Sequence, residues 1–197
     1  MNKINKILFL GYEQSKIIDF LNNEGLDLIT RPPIESLSLN EITDIDPDLI
    51  ISYGYKKIVS KEIIKSYKDK ILNLHISSLP WNRGMHPNFW SILEDTPKGT
   101  TIHFMDEGVD TGDIIFQANI SFSEKEDTLK KTYFRLRDEL EFLFIKNWNN
   151  FLNGKFIRKK QELNEGSFHY SYELQDYWEK MPLGWDTKIS DVERLLC

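Results

Sequence analysis

Short, uniformly apolar runs alternate with helical spacings along the first half of the chain. Ile7-Leu8-Phe9-Leu10 ends at Gly11 and reads as a buried strand closed by a turn. Ile17, Ile18, Phe20 and Leu21 then fall at helical spacing, and Gly25 closes that helix. Leu26-Asp27-Leu28-Ile29 resumes a strand, which Pro32-Pro33 breaks. Asp48 to Gly54 is a second apolar strand ending on glycine. Ile63, Ile64 and Tyr67 predict a short helix, and Lys70-Ile71-Leu72-Asn73-Leu74-His75 the next strand. Strands that are apolar at every position belong to a parallel sheet covered on both faces, so the fold class is α/β, doubly wound. Such sheets bind ligands beyond the carboxyl ends of their strands. Gly11, Gly54 and the 73–75 region are therefore expected to converge on one crevice.

Pro87 suits the first position of a helix running through Leu93. Two further strands are expected at 100–105 and 114–120, flanking a loop of Asp, Glu and Gly. Leu129, Tyr133, Leu136, Leu140, Leu143, Trp148, Phe151 and Leu152 then step by three, four or five. This predicts an amphipathic helix of about six turns whose aromatic stripe is core. After Gly154 the chain turns polar and aromatic, and a small β/loop piece is expected there. Residues 1–153 are taken as one domain, with 154–197 as a short extension packed on it.

Composition narrows the classes. At 197 residues and 40% hydrophobic the chain can bury a full core without disulfides or metal. With 31 acidic and 25 basic residues the net charge is −6, unlike a protein that coats phosphate backbones, so no nucleic-acid partner is expected. The single cysteine, Cys197, cannot form a disulfide within the chain and points to a reducing, cytoplasmic setting. No apolar run is long enough for a membrane span, and Met1 to Lys6 shows no export cleavage pattern, so no membrane association is expected.

Asn73 and His75 share one face of a strand at its carboxyl end, an amide and an imidazole aimed into the same crevice. An amide can donate to a developing oxyanion and an imidazole can move a proton; the alternative is a pair of satisfied polar residues. Asp106-Glu107-Gly108-Val109-Asp110-Thr111-Gly112-Asp113 admits three readings: a calcium loop, a solvated turn, or a carboxylate, best Asp110, that orients an imidazole. The spacings of His75, His86 and His103 lack a metal-ligand pattern, so no metal is expected. Ser77 and Ser78 lack a Gly-x-Ser-x-Gly elbow, and Cys197 on a chain end is a poor nucleophile.

The run Asn73-Leu74-His75-Ile76-Ser77-Ser78-Leu79-Pro80, followed by Trp81-Asn82-Arg83-Gly84, Pro87, Trp90, His103 and Asp110-Thr111-Gly112, resembles the formyltetrahydrofolate-dependent formyltransferases. The likeness extends over roughly 7–151 and implies a Rossmann-like, mostly parallel sheet with helices on both faces. By this resemblance Asn73, His75 and Asp110 take the catalytic positions. An amine would attack the formyl carbon of N10-formyltetrahydrofolate; Asn73 and His75 would donate to the oxyanion, His75 would relay the amine proton, and Asp110 would hold the imidazole. Lys57, Val59, Glu107 and Asp110 would contact this co-substrate, largely through backbone, and Leu79-Pro80 is expected to be cis.

Members of this family differ in the acceptor. The turn Gly11-Tyr12-Glu13-Gln14-Ser15 lacks the glycines of a phosphate cradle, which counts against a ribonucleotide acceptor held there. The chain length and acidity count against the basic β-barrel of the tRNA-acting members. What remains resembles the sugar N-formyltransferases, with a UDP- or dTDP-linked 4-amino-4,6-dideoxy sugar as partner. Trp81, Arg83, His86 and Asn88 would line its site, Arg83 facing the diphosphate and Trp81 a sugar or base. Formyl transfer to another small amine, formyltetrahydrofolate hydrolysis, and folate or sugar-nucleotide binding without turnover are the alternatives. The aromatic long helix and tail could supply a homodimer interface.

Overall fold

In a computed structural model, which describes residues 3–122 and 127–196, the apolar runs form a six-stranded sheet. The elements run β1 (Lys6–Gly11), α1 (Lys16–Asn23), β2 (Asp27–Arg31), α2 (Leu39–Ile45), β3 (Leu49–Tyr53), α3 (Lys61–Ser66) and β4 (Ile71–His75). Then come β5 (Arg83–Gly84), α4 (Pro87–Leu93), β6 (Gly99–Phe104), β7 (Ile114–Asn119), α5 (Leu129–Leu152), β8 (Phe168–His169), α6 (Gln175–Trp178) and α7 (Ile189–Val192). Met1-Asn2 and Cys197 lie outside the described residues.

The sheet order is β2-β1-β3-β4-β6-β7. β1 to β4 are mutually parallel, and β6 alone runs the other way, pairing antiparallel with both β4 and β7. The uniformly apolar strands divide by the two-residue period of the pleat. Ile7, Phe9, Ile51, Tyr53, Leu72 and Leu74 pack with Ile17, Leu21, Leu140, Phe144, Trp148 and Phe151 under α1 and α5. Leu8, Leu10, Ile50 and Ile71 pack on the opposite face with Ile42, Val59, Ile63 and Tyr67 under α2 and α3. Each such side chain contributes about 1.5–3 kcal/mol when fully buried.

Sheet order reverses between β1 and β3, the position where a doubly wound sheet opens a crevice. Gly11 makes the close pairing there feasible. Its φ is +127°, and a Cβ on it would stand 1.8 Å from the Tyr53 carbonyl oxygen. A side chain at this point would push β1 off β3.

Two expectations change. α2 was not anticipated, although Ser38 and Glu41 form a reciprocal capping box at its start. The C-terminal piece, expected as β/loop, is mostly short helical turns, and β8 has only two residues. Segments this brief close their hydrogen bonds locally more readily than in a ladder. They place Leu174, Met181, Ile189 and Val192 against Phe89, Trp90, Leu93 and Leu129 in a separate apolar cluster. Among the described residues, no helix is long and apolar enough to cross a membrane.

Candidate active site

Asn73 and His75 lie at the carboxyl end of β4 on one face, as their spacing requires. β6 runs antiparallel beside β4 with His103 directly opposite Asn73, so a second imidazole joins the same face. The β6–β7 connection then brings Asp110 back over these three residues. A turn helps it do so, with the Asp106 carboxylate accepting from the Gly108 N–H at 3.0 Å.

Asp110 is the centre of the cluster. Its Oδ1 accepts from Asn73 Nδ2 at 2.9 Å and stands 3.7 Å from His103 Nε2. Its Oδ2 accepts from the Gly84 N–H at 2.8 Å and stands 3.7 Å from His75 Nδ1. Burial alone would raise this carboxyl, but the His75 and His103 imidazoles and the Gly84 N–H outweigh it. The carboxyl is held well below the ordinary carboxylate range. Gly84 can come this close because its φ is +87° and it carries no side chain; a Cβ would stand 2.4 Å from the His169 carbonyl oxygen.

The hydrogen-bond pattern assigns protons. His103 Nδ1 lies 2.8 Å from the Phe104 carbonyl, an acceptor only, so Nδ1 carries hydrogen. Asn73 Nδ2 lies 3.2 Å from His103 Nε2 and donates to Asp110 Oδ1 at 2.9 Å. The Asn73 amide nitrogen is thus engaged by both neighbours inside the cluster. To serve an oxyanion it must release the longer contact to His103. His75 has oxygens at both ring nitrogens: Asp110 at Nδ1, and the Asn82 carbonyl 3.2 Å from Nε2.

The expected ligand residues scatter more widely. Lys57 is exposed, and the Val59 side chain is buried in the core, leaving only its backbone for a ligand. Glu107 is exposed and lies 3.6 and 3.5 Å from Lys61 and Lys65. The Leu79-Pro80 peptide is cis, as expected, and half-buried Trp81 follows it. Arg83 donates from Nε to the Ser167 carbonyl at 3.3 Å and sits 6.0 Å over the Phe168 ring. His86 caps α4 in a left-handed conformation, its ring 6.5 Å from that of Trp185, and burial lowers its pKa. Asn88 does not reach the cluster: it is 2% exposed and its amide donates to the Leu129 carbonyl at 2.9 Å, tying α4 to the start of α5.

The β1–β3 crevice is filled from within. The Tyr12 ring covers Gly54, where a Cβ would stand 2.1 Å from it. The Arg137 guanidinium lies 4.1 Å over the Tyr12 ring, and its Nε donates to the Tyr53 hydroxyl at 3.2 Å. Glu141, 4% exposed, accepts from the Tyr53 hydroxyl at 3.0 Å and from the Lys16 N–H at 3.2 Å, and faces Arg137 at 3.7 Å. Burial pushes the Tyr12 and Tyr53 phenols well above their ordinary value, so both stay neutral. Glu141→Ala should lower the unfolding free energy by about 3 kcal/mol, because it strands a guanidinium and a hydroxyl. Urea titration measures this; a loss below about 1 kcal/mol would show that the network adds little.

A methionyl-tRNA formyltransferase of Finegoldia magna is 32% identical over 73% of this chain and 46% of its own length. One of Prochlorococcus marinus is 36% identical over 91% of this chain and 56% of its own length. The chain thus spans about half the length of the curated relatives it matches. The crystal structure of the formyltransferase PseJ from Anoxybacillus kamchatkensis, in complex with UDP-4,6-dideoxy-4-formamido-L-AltNAc and tetrahydrofolate, superposes with a TM-score of 0.89. It is 39% identical and the match covers 95% of this chain and 97% of that one. A 4-N formyltransferase from Francisella tularensis superposes at 0.73 with 25% identity, over 97% of this chain and 86% of that one. Residues 26–147, more than half of the sequence, match the formyl transferase family model, and the chain belongs to that family.

Proposed function

We propose that the protein transfers the formyl group of N10-formyltetrahydrofolate to the amino group of a nucleotide-linked amino sugar, a UDP-linked 4-amino-4,6-dideoxy sugar. The observation that carries the reading is the partly buried Asn73–His75–Asp110 cluster at the carboxyl end of β4, in which the Asp110 carboxylate accepts from Asn73 Nδ2 and the Gly84 N–H and stands 3.7 Å from His75 Nδ1. The acceptor nitrogen bonds to the formyl carbon, and negative charge develops on the formyl oxygen. Asn73 donates to that oxygen. With Nδ1–H toward Asp110, His75 Nε2 leaves the Asn82 carbonyl, takes the proton the amine gives up and returns it to the nitrogen of the folate that leaves. Asp110 faces the ring as it becomes charged. Lys57, Val59 and Glu107 would contact the folate, Val59 through its backbone. Trp81, Arg83 and His86 would contact the sugar nucleotide.

The acceptor follows from likeness. PseJ, whose complex contains a UDP-linked 4-formamido sugar, matches this chain nearly end to end. The crevice at β1 is filled by Tyr12 and Arg137 rather than by a glycine-rich phosphate turn. A second reading, formylation of methionyl-tRNA, has the curated relatives in its favour. The net charge of −6 favours the small acceptor. We propose a cytoplasmic setting and a homodimer formed through the aromatic long helix and tail.

One experiment separates the readings. The protein is incubated with N10-formyltetrahydrofolate and, in parallel, a UDP-4-amino sugar, its dTDP counterpart, methionyl-tRNA or no acceptor. Absorbance follows the tetrahydrofolate released. Release that depends on the UDP sugar is expected. Release with methionyl-tRNA alone would overturn the sugar reading, and equal release without acceptor would indicate a hydrolase.

A further inference from the structure

Gln161 lies outside every motif that points to the chemistry, yet its side chain reaches the loop that carries Asp110. The segment between α5 and β8 is fastened on both sides of the Asp110–Gly84 hydrogen bond. Phe156 packs on Phe104, Phe116 and Phe151. Arg158 meets Asp69 at 2.7 Å and Asp113 at 3.0 Å. Lys159 and Ile114 exchange backbone hydrogen bonds of 2.9 Å in both directions. Gln161 Nε2 then donates to two carbonyls of the acidic loop, Asp110 at 2.9 Å and Gly112 at 2.7 Å.

The far end of the segment holds the other side. The Asn82 N–H donates to Ser167 Oγ at 2.9 Å, and the Arg83 N–H to the Ser167 carbonyl at 3.1 Å. β8 pairs in parallel with β5, and the Met85 N–H donates to the His169 carbonyl at 3.0 Å. One stretch of chain therefore grips the loop that supplies Asp110, the residue whose carbonyl meets His75, and the glycine whose N–H meets Asp110.

Asp110 needs such a grip. Its φ is +54°, a left-handed conformation that a residue other than glycine keeps only where its surroundings fix it. The two hydrogens of the Gln161 amide are spent on its carbonyl and on that of Gly112. Without them both carbonyls lose a partner and the turn can relax toward ordinary φ, carrying the carboxylate away from His75.

We infer that residues 156–169 form a strap across the site, and that Gln161 is a positioning residue which sets the Asp110 carboxylate against His75. The inference rests on the proposed roles of Asp110 and His75, and it gives the C-terminal extension a part in catalysis without contact to the reacting atoms.

The test compares Gln161→Met, which keeps volume and loses both hydrogens, with Gln161→Glu, which keeps shape. Gln161→Met should reduce kcat for tetrahydrofolate release roughly 10–100-fold while KM for donor and acceptor stays within about threefold. Gln161→Glu should lose progressively more activity, relative to the parent, as pH rises: the protonated carboxyl can still donate, whereas the carboxylate repels both carbonyls. The imidazole 15N signals of His75, read without any substrate, should move in Gln161→Met, or in Gln161→Glu if the Met variant does not fold. A KM effect with kcat intact, a pH-independent loss in Gln161→Glu, or unmoved His75 signals would overturn the strap. A parent that turns over no acceptor would sink the functional reading, and the His75 signals would still decide for or against the strap.

Discussion

Asp110→Asn should lower kcat/KM for formyl transfer by about 10²–10⁴-fold. The magnitude follows from charge. When His75 takes the amine proton, its ring becomes a cation with the Asp110 carboxylate 3.7 Å from Nδ1. At an effective dielectric constant near 20, a charge pair at that distance interacts by about 4 kcal/mol. Losing it from the transition state corresponds to about three orders of magnitude in rate. Asparagine keeps one acceptor oxygen, and in either orientation its NH₂ group meets a donor, Asn73 Nδ2 or the Gly84 N–H. Turnover by the variant within threefold of the parent would remove Asp110 from the mechanism.

The same substitution has a signature in stability. The native carboxyl is held below its ordinary pKa, so it stabilises the fold above the usual carboxylate range. That contribution is lost as pH falls from about 4 through the native value. The parent should therefore exceed Asp110→Asn in unfolding free energy by a constant amount near neutrality, and the gap should close below about pH 4. Urea titrations of both proteins across pH 2–7 read this directly. A gap that persists undiminished at pH 2 would mean that the carboxylate is not what stabilises the loop.

How much of this was legible in the sequence depends on the range of the interaction. β1, β3 and β4 are apolar at every position because helices cover both faces, and that pattern is local to each strand. Asn73 and His75 share a face through the two-residue period of one strand, which is also local. The acidic loop, by contrast, supported three readings, since nothing within it says where β6 will dock. Only the antiparallel register of β6 on β4 sets His103 opposite Asn73 and turns Asp110 back toward His75. The register also gives His103 its place in the cluster, beside Asn73.

Other differences have the same origin. Asn88 looks like a polar residue near the site in the linear chain, but helix packing turns it to the Leu129 carbonyl. Gln161 carries no pattern at all; its role comes from a strap whose path is set by Phe156, Arg158 and β8. The capping box Ser38-x-x-Glu41 was a readable signal for α2, local and complete.

His75→Ala should reduce kcat by about 10²–10⁴-fold with the fold retained, and His75→Gln should fare no better. The comparison separates the two services an imidazole can give. Glutamine can donate a hydrogen bond to an oxyanion, as His75 can, but it cannot accept the amine proton and hand it on. The Asp110 carboxylate beside Nδ1 is what a proton carrier needs and what a plain donor does not. Alanine also opens a space at the end of β4, between Asp110 and the Asn82 carbonyl, that the ring formerly filled. Added imidazole should therefore restore part of the turnover in His75→Ala, whereas His75→Gln, whose side chain occupies the space, should not respond. Melting curves for each variant check that the fold survives. If His75→Gln kept more than about a tenth of parental kcat, or imidazole left His75→Ala unchanged, His75 would be an oxyanion donor rather than the proton carrier, and the proton would have to leave the amine by another route.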